Sequence, residues 1–153
     1  MNKIMLTGVL LSLFTVGCTT QTTITNTSAQ DAASQKVLNE LKNGVSIYFD
    51  KNSSQIQSKY HPYLVAAAKG LAQNKNLILE LEGHTDSTGS VAANKRVSLE
   101  RANAVRNKLV IDYNVDPDQL VAVGAGSLKP IDTNNTPEGR ANNRRVSAIL
   151  KIR

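Results

Sequence analysis

The sequence has few of the residues that build disulfides, metal centres and aromatic binding platforms. Its 153 residues include one cysteine, Cys18, two histidines, His61 and His84, two phenylalanines and no tryptophan. A single cysteine excludes an intramolecular disulfide and any zinc or iron–sulfur site built from several cysteines. Two histidines exclude a histidine-rich metal cluster, and the shortage of aromatics argues against stacking on single-stranded nucleic acid. The sequence as a whole implies no metal and no cofactor.

Acidic residues are also outnumbered. The chain has 18 Lys and Arg against 12 Asp and Glu, a formal net charge of +6. A basic protein favours anionic surroundings such as nucleic acid, an anionic lipid surface or an acidic polymer. Hydrophobic residues make up 41% of the sequence, which is enough to build the core of one domain of ordinary size.

The first 17 residues are typical of a secretory signal peptide. Lys3 is followed by an uncharged, mostly apolar run over residues 4–16. That run is too short to span a bilayer, which takes about 20 residues. A basic start, a short apolar run and a small residue before a cleavage site predict export. A buried core helix is the alternative, although no amphipathic stripe supports it.

Cys18 stands directly after this segment. Thr15-Val16-Gly17-Cys18 resembles the bacterial lipobox, with Thr15 where Leu is usual. The resemblance implies cleavage before Cys18 and lipidation of its thiol, the alternative being an ordinary free cysteine. Enteric-type lipoproteins with Asp after the cysteine tend to stay at the inner membrane, so Thr19 favours the outer membrane. Residues 18–36 are polar and rich in Thr, which predicts a flexible linker.

Residues 37–153 are expected to form one domain. Apolar alternation predicts strands over residues 45–49, 77–82, 120–123 and 145–152, and helical periodicity predicts helices over residues 54–73 and 90–113. The order β-α-β-α-β-β indicates an α/β (α+β) fold with a single mixed sheet and helices on one face. Strands joined through helices favour parallel pairing, whereas the closing strand is expected at an edge or as an antiparallel element.

The loop after the second predicted strand carries the first candidate binding residue, Asp86. Asn94 and Arg101 follow on the next predicted helix, seven residues apart and hence on one face. A carboxylate near a guanidinium suits a zwitterionic amino-acid head group, because the acid takes the ammonium and Arg takes the carboxylate. Two alternatives remain open here: Asp86 as a helix-start residue, or an Asp86–Arg101 salt bridge without a ligand.

A second basic cluster lies near the end of the chain, where Arg140, Arg144 and Arg145 fall within six residues. On its own this cluster is consistent with a nucleic-acid patch. An exported protein does not meet cytoplasmic nucleic acid, so a solvated charge run or structural ion pairs explain the cluster better. We expect no nucleic-acid partner.

Motifs spread over residues 44–153 resemble the OmpA-like (OmpA/MotB/Pal) peptidoglycan-binding domain. They occur in the family's order: Phe49-Asp50-x-Asn52, Gly83-His84-Thr85-Asp86-x-x-Gly89, Asn94-x-x-x-Ser98-x-x-Arg101-Ala102, Gly124-x-Gly126-x-x-x-Pro130 and Asn134-x-Thr136-x-x-Gly139-Arg140-Ala141-x-Asn143-Arg144-Arg145-Val146. The short leader resembles that of Pal-type lipoproteins.

This resemblance implies a ligand and a set of binding residues. The family binds the peptide stem of peptidoglycan without a covalent bond, mainly through diaminopimelate. By resemblance, Asp86 takes the diaminopimelate ammonium and Arg101 its carboxylate. The positions expected to line the pocket are Phe49, Asp50, Asn52, Thr85, Asn94, Leu99 and Arg144. The sequence departs from Pal over residues 90–95, which leaves the role of Asn94 open.

The function implied is that of an outer-membrane lipoprotein, facing the periplasm, that ties the membrane to the cell wall. Its protein partner would be a Tol-type system or another envelope complex. The chain is not expected to be an enzyme. Two alternatives are an envelope protein-interaction module and a peptidoglycan hydrolase built on His84, Asp86 and Ser87 or Ser90.

Overall fold

The structure is a computed structural model that describes Asn39 and residues 44–153. The predicted signal peptide, Cys18 and the linker lie outside these described residues. None of the helices in the described part is both long and apolar enough to cross a membrane. The helices and strands, in chain order, are β1 (Val45–Tyr48), α1 (His61–Gln73), β2 (Leu77–His84), α2 (Val91–Tyr113), β3 (Leu120–Gly126), α3 (Pro137–Asn143) and β4 (Arg145–Ile152).

The strands form one mixed sheet in the order β1-β4-β2-β3. Strands β2 and β3 are parallel, with Leu79 opposite Leu120, whereas β4 is antiparallel to both β1 and β2. The predicted single mixed sheet is confirmed. Of the two alternatives for the closing strand, the antiparallel element is confirmed; β4 is not at an edge, because it pairs on both sides and lies in the interior of the sheet.

One hydrophobic core joins the sheet to the helices. Alternate residues of the strands, such as Leu81 and Val146, are fully buried, and they belong to the same cluster as Leu71 of α1 and Leu109 of α2. Burial of these side chains is the main contribution to the stability of the domain.

Several element boundaries differ from the prediction. The first helix begins at His61 instead of residue 54, after a 3₁₀ turn over Ser58–Tyr60. Proline in the first turn explains this start, since Pro62 needs no helical N–H partner there. Strand β3 continues through Gly126 although its glycines had suggested an earlier end. The short α3 was not predicted, although its Thr136 cap followed by Pro137 is a recognisable start signal.

Helix α2 lies unusually close to the sheet. A Cβ atom on Gly83 of β2 would stand 1.9 Å from the main-chain oxygen of Ser98, and one on Gly124 of β3 would stand 2.7 Å from the nitrogen of Leu99. Only glycine permits this approach. The two glycines therefore set the height of α2 over the sheet, and with it the position of Arg101 one turn further along the helix.

Candidate functional site

A cavity of about 320 Å³ opens where the loop after β1, the loop after β2 and the first turns of α2 meet. Most of its lining residues are polar, and both charge signs are present. The lining residues are Lys51, Asn52, Ser53, Ser54, Thr85, Asp86, Thr88, Ala93, Asn94, Val97, Glu100, Arg101 and Arg144.

Asp86 is the buried acid of this cavity. Its Oδ1 accepts a hydrogen bond from the Thr88 main-chain nitrogen at 2.9 Å, and its Oδ2 pairs with Arg144 Nη1 at 3.0 Å. Burial by itself would raise the pKa of Asp86, but the Thr88 and Arg144 hydrogen bonds outweigh it and hold the pKa below its usual value. The side chain is therefore a carboxylate at neutral pH.

Arg101 is the buried cation, with 2% of its surface exposed. Its Nε donates to the main-chain oxygen of Ser53 at 3.0 Å, and its Nη1 and Nη2 donate to those of His84 and Asp50 at 3.1 and 3.2 Å. The guanidinium carbon lies 5.4 Å from the centre of the Phe49 ring. These contacts hold the guanidinium rigidly in place.

No acid neutralises Arg101 within the part of the chain that the structure describes, since no carboxylate there lies within 4.0 Å of its nitrogens. Burial, followed by the charge of Arg144, lowers the pKa of Arg101, while Asp86 raises it. A guanidinium nevertheless stays protonated at neutral pH. Three of its five N–H groups bind main-chain oxygens, so two are left to bind an anion.

Both alternatives for Asp86 are wrong. The ion pair of Asp86 is with Arg144 and not with Arg101. The cap of α2 is Ser90, whose hydroxyl accepts from the Ala93 nitrogen. Asp86 thus lies in the loop four residues before the cap.

The cavity brings together six of the predicted residues, namely Asn52, Thr85, Asp86, Asn94, Arg101 and Arg144. Phe49 and Asp50 lie behind it and support Arg101 through the ring and the main-chain oxygen. Leu99 is not in the lining and is 39% exposed. It stands two residues before Arg101, a rotation of about 200° that points it away from the cavity.

Sequence reasoning missed several lining residues. Lys51 and Ser53 belong to the loop after β1, where no periodicity indicates which side chains face a cavity. Glu100 precedes Arg101 and is 3.6 Å from Arg96, a pairing that its i, i+4 spacing could have suggested. Asn52 has a positive φ of 56°, which asparagine tolerates better than most residues and which turns the loop towards Arg101.

His84 is buried beside the site, with 2% of its surface exposed. Its main-chain oxygen binds Arg101, while both ring nitrogens lack a hydrogen-bond partner in the described structure. Burial, followed by the charge of Arg145, lowers the pKa of His84 from 6.5 to about 4; Lys129 lowers it further and Glu82 opposes them. The imidazole is therefore neutral at physiological pH.

The arrangement suggested for a hydrolase is not assembled. The acid within 4 Å of His84 Nε2 is Glu82, at 3.8 Å, whereas Asp86 is paired with Arg144. Ser87 and Ser90 are exposed, and neither hydroxyl contacts the imidazole. His84 is a buried structural residue that presents its carbonyl to Arg101.

Acidification should weaken the fold through His84. Its folded pKa of about 4 lies below the 6.5 of the unfolded chain, so the unfolded chain binds the extra proton first and stability falls as the pH drops below 6.5. Between pH 7 and pH 5 we expect a loss of about 2 kcal/mol in the free energy of unfolding. Urea denaturation at both pH values measures it. His84→Gln should lack this loss, and an equal loss in the variant would contradict the assignment.

Comparison with known proteins places this geometry in a family. Residues 48–144 match the OmpA family. Over 116 residues the chain is 41% identical to outer membrane protein Omp38 of Acinetobacter baumannii, covering 76% of this chain and 33% of that protein. It is 35% identical over 117 residues to a peptidoglycan-associated lipoprotein of Buchnera aphidicola, covering 76% of this chain and 66% of the relative.

A solved structure agrees in fold. The peptidoglycan-associated lipoprotein from Burkholderia pseudomallei superimposes with a TM-score of 0.67 at 30% identity, covering 69% of this chain and 89% of that one. The chain thus spans about a third of the length of Omp38 and most of the solved lipoprotein. On the sequence match and the shared fold, the chain belongs to the OmpA family.

Proposed function

We propose that this protein anchors a membrane to the cell wall by binding, without a covalent bond, the diaminopimelate-containing peptide stem of peptidoglycan. The observation that carries the proposal is the buried pair of opposite charges, Asp86 and Arg101, in the lining of one cavity of about 320 Å³. Relatives named peptidoglycan-associated lipoproteins support it.

The free end of diaminopimelate is an amino acid with one ammonium and one carboxylate. The ammonium would pair with Asp86, which is already ionised and aligned by Thr88. The carboxylate would bind the two N–H groups of Arg101 that have no protein acceptor. A buried, unneutralised guanidinium is costly, so an anionic group that reaches it gains a strong charge-assisted interaction.

Arg144 would have to give up its bond to Asp86 Oδ2, which is 3.0 Å long in this structure, when the ligand's ammonium binds. Binding would exchange one cation for another beside Asp86 and leave the net charge around the carboxylate almost unchanged. Before the ligand arrives, the Arg144 bond keeps Asp86 ionised, so no proton has to leave the carboxyl group on binding.

Sedimentation with purified cell wall tests the proposal. The protein without its first 18 residues should pellet with diaminopimelate-type peptidoglycan and stay in solution with lysine-type peptidoglycan. Lysine lacks the second carboxylate and would leave Arg101 unneutralised. Addition of free meso-diaminopimelate should release the pelleted protein. Equal pelleting with both walls would contradict the zwitterion arrangement, and no pelleting with either would contradict wall binding.

We propose further that residues 1–17 are removed as a signal peptide, that Cys18 is lipidated and that residues 18–36 act as a linker at the periplasmic face of the outer membrane. Two acyl chains already hold a protein stably on a membrane, and many modest wall contacts act together on a dense lattice. Cys18→Ser should move the protein from the outer-membrane fraction to the soluble fraction. Retention of the variant in the membrane would contradict lipid anchoring.

A further inference from the structure

A second cavity adjoins the proposed stem-peptide site. Its volume is about 300 Å³, and Arg144 lines both cavities. The other polar groups of the adjoining cavity that matter here are Lys59, Asn142 and Asp50. Because Arg144 forms part of both linings, the two cavities are neighbours that meet at this side chain.

Arg144 is held between the two cavities by its own contacts. Its Nη1 donates to Asp86 Oδ2 at 3.0 Å and its Nε donates to the main-chain oxygen of Phe49 at 3.3 Å. The side chain is 15% exposed. Two of its five N–H groups are used in these bonds, and the others are available to an acceptor.

The acids of the two cavities are already engaged. Asp50 Oδ2 accepts from Gln57 at 3.1 Å, and Glu100 lies 3.6 Å from Arg96. Asp86 would be taken by the ligand's ammonium. No acid among the described residues lies within salt-bridge distance of Lys59, whose ammonium stands 5.1 Å from the centre of the Tyr60 ring.

The combined linings hold more positive than negative groups. Their ionisable side chains comprise four cations and three acids: Lys51, Lys59, Arg101 and Arg144 against Asp50, Asp86 and Glu100. A zwitterion adds no net charge, so the combined linings remain positive after it binds. It is Arg144 that loses its partner when an ammonium takes Asp86. The charge balance therefore favours a ligand with one further carboxylate beyond the zwitterion.

We propose that the adjoining cavity binds this further carboxylate of the stem peptide, with Lys59 and Arg144 as its cations. The inference rests on the proposed function. A tetrapeptide stem offers two such groups, each on a residue next to diaminopimelate. One is the α-carboxylate of D-Glu, which is joined through its γ-carboxyl, and the other is the C-terminal carboxylate of D-Ala.

Amidated peptides test the second carboxylate. The full chain, purified in detergent, is titrated calorimetrically with the tetrapeptide L-Ala-γ-D-Glu-diaminopimelate-D-Ala, with its D-isoglutamine counterpart, with its C-terminal amide, and with free meso-diaminopimelate. We expect one of the two amidations to weaken binding about fivefold, the size expected for a partly exposed ion pair. The amidation that does so identifies the carboxylate bound.

Lys59→Gln should remove that fivefold difference and leave the affinity for free meso-diaminopimelate unchanged. Lys151→Gln is the matched control, because Lys151 lies near the far end of β4 and should keep the difference. Equal affinity for all acid and amide forms would overturn the adjoining site alone. A Lys59→Gln variant that weakens every ligand equally would also overturn it. Failure of free meso-diaminopimelate and every peptide to bind would overturn the proposed function as well.

Discussion

Replacing Arg101 by alanine should both destabilise the domain and abolish binding to diaminopimelate-type cell wall. The guanidinium satisfies three main-chain oxygens, those of Ser53, His84 and Asp50. Each buried acceptor left without a donor costs about 1–3 kcal/mol, so we expect a loss of about 3–5 kcal/mol in the free energy of unfolding. Urea denaturation measures this loss, and sedimentation with cell wall below the unfolding transition measures binding.

The variant Arg101→Lys separates the two roles. Lysine keeps a positive charge but cannot reproduce the planar fork that binds three oxygens and an anion together. We expect a folded protein of intermediate stability whose wall binding is weakened more than its stability. If Arg101→Ala unfolded at the wild-type urea concentration and still pelleted with the wall, Arg101 would have neither role.

The loop after β1 contributes to the site by holding Arg101 in position. The loop accepts hydrogen bonds from the guanidinium through two main-chain oxygens, those of Asp50 and Ser53, and through none of the side chains of residues 50–53. These hydrogen bonds fix the guanidinium before any ligand arrives. The conformational entropy of the Arg101 side chain is therefore lost during folding, and less of it remains to be lost when a ligand binds.

The sequence was sufficient to predict the residues whose positions follow from regular periodicity. Asn94 and Arg101 reach one cavity because two turns of α2 separate them. Alternation in β4 likewise predicts that Val146 and Ala148 are buried. This alternation indicates which face of the sheet a residue occupies, but it does not indicate which strands pair with β4. The interior position of β4 was therefore not predicted.

Contacts between distant segments could not be predicted in this way. The partner of Asp86 is Arg144, 58 residues further along the chain, and no local pattern links them. Spacing favoured Arg101 instead, because it lies on the helix that begins beside Asp86. The main-chain oxygens that accept from Arg101 could not be predicted either, because the positions of carbonyl groups depend on the backbone conformation of the loop and not on its side chains.

Replacing Asp86 by asparagine should abolish most of the binding while leaving the fold largely intact. Asparagine keeps an oxygen that can accept from the Thr88 nitrogen but cannot neutralise an ammonium. Removing one partner of a buried charge pair costs about 2–5 kcal/mol of binding, a weakening of about 30-fold or more. Arg144 loses its ion pair, for which we expect about 1 kcal/mol of stability. Calorimetric titration with free meso-diaminopimelate measures the affinity.

Glu80→Gln is the matched control, since it removes an acid from β2, the strand that leads to the Asp86 loop, where Glu80 pairs with Lys151 at 2.5 Å. It should bind as the wild type does.

Because hydrogen bonds hold the pKa of Asp86 below its usual value, wild-type affinity should also stay constant between pH 7 and pH 5, where the carboxylate remains ionised. Wild-type affinity in Asp86→Asn, with the variant folded, would show that the ammonium binds elsewhere, and the cavity between Asp86 and Arg101 would lose its assignment.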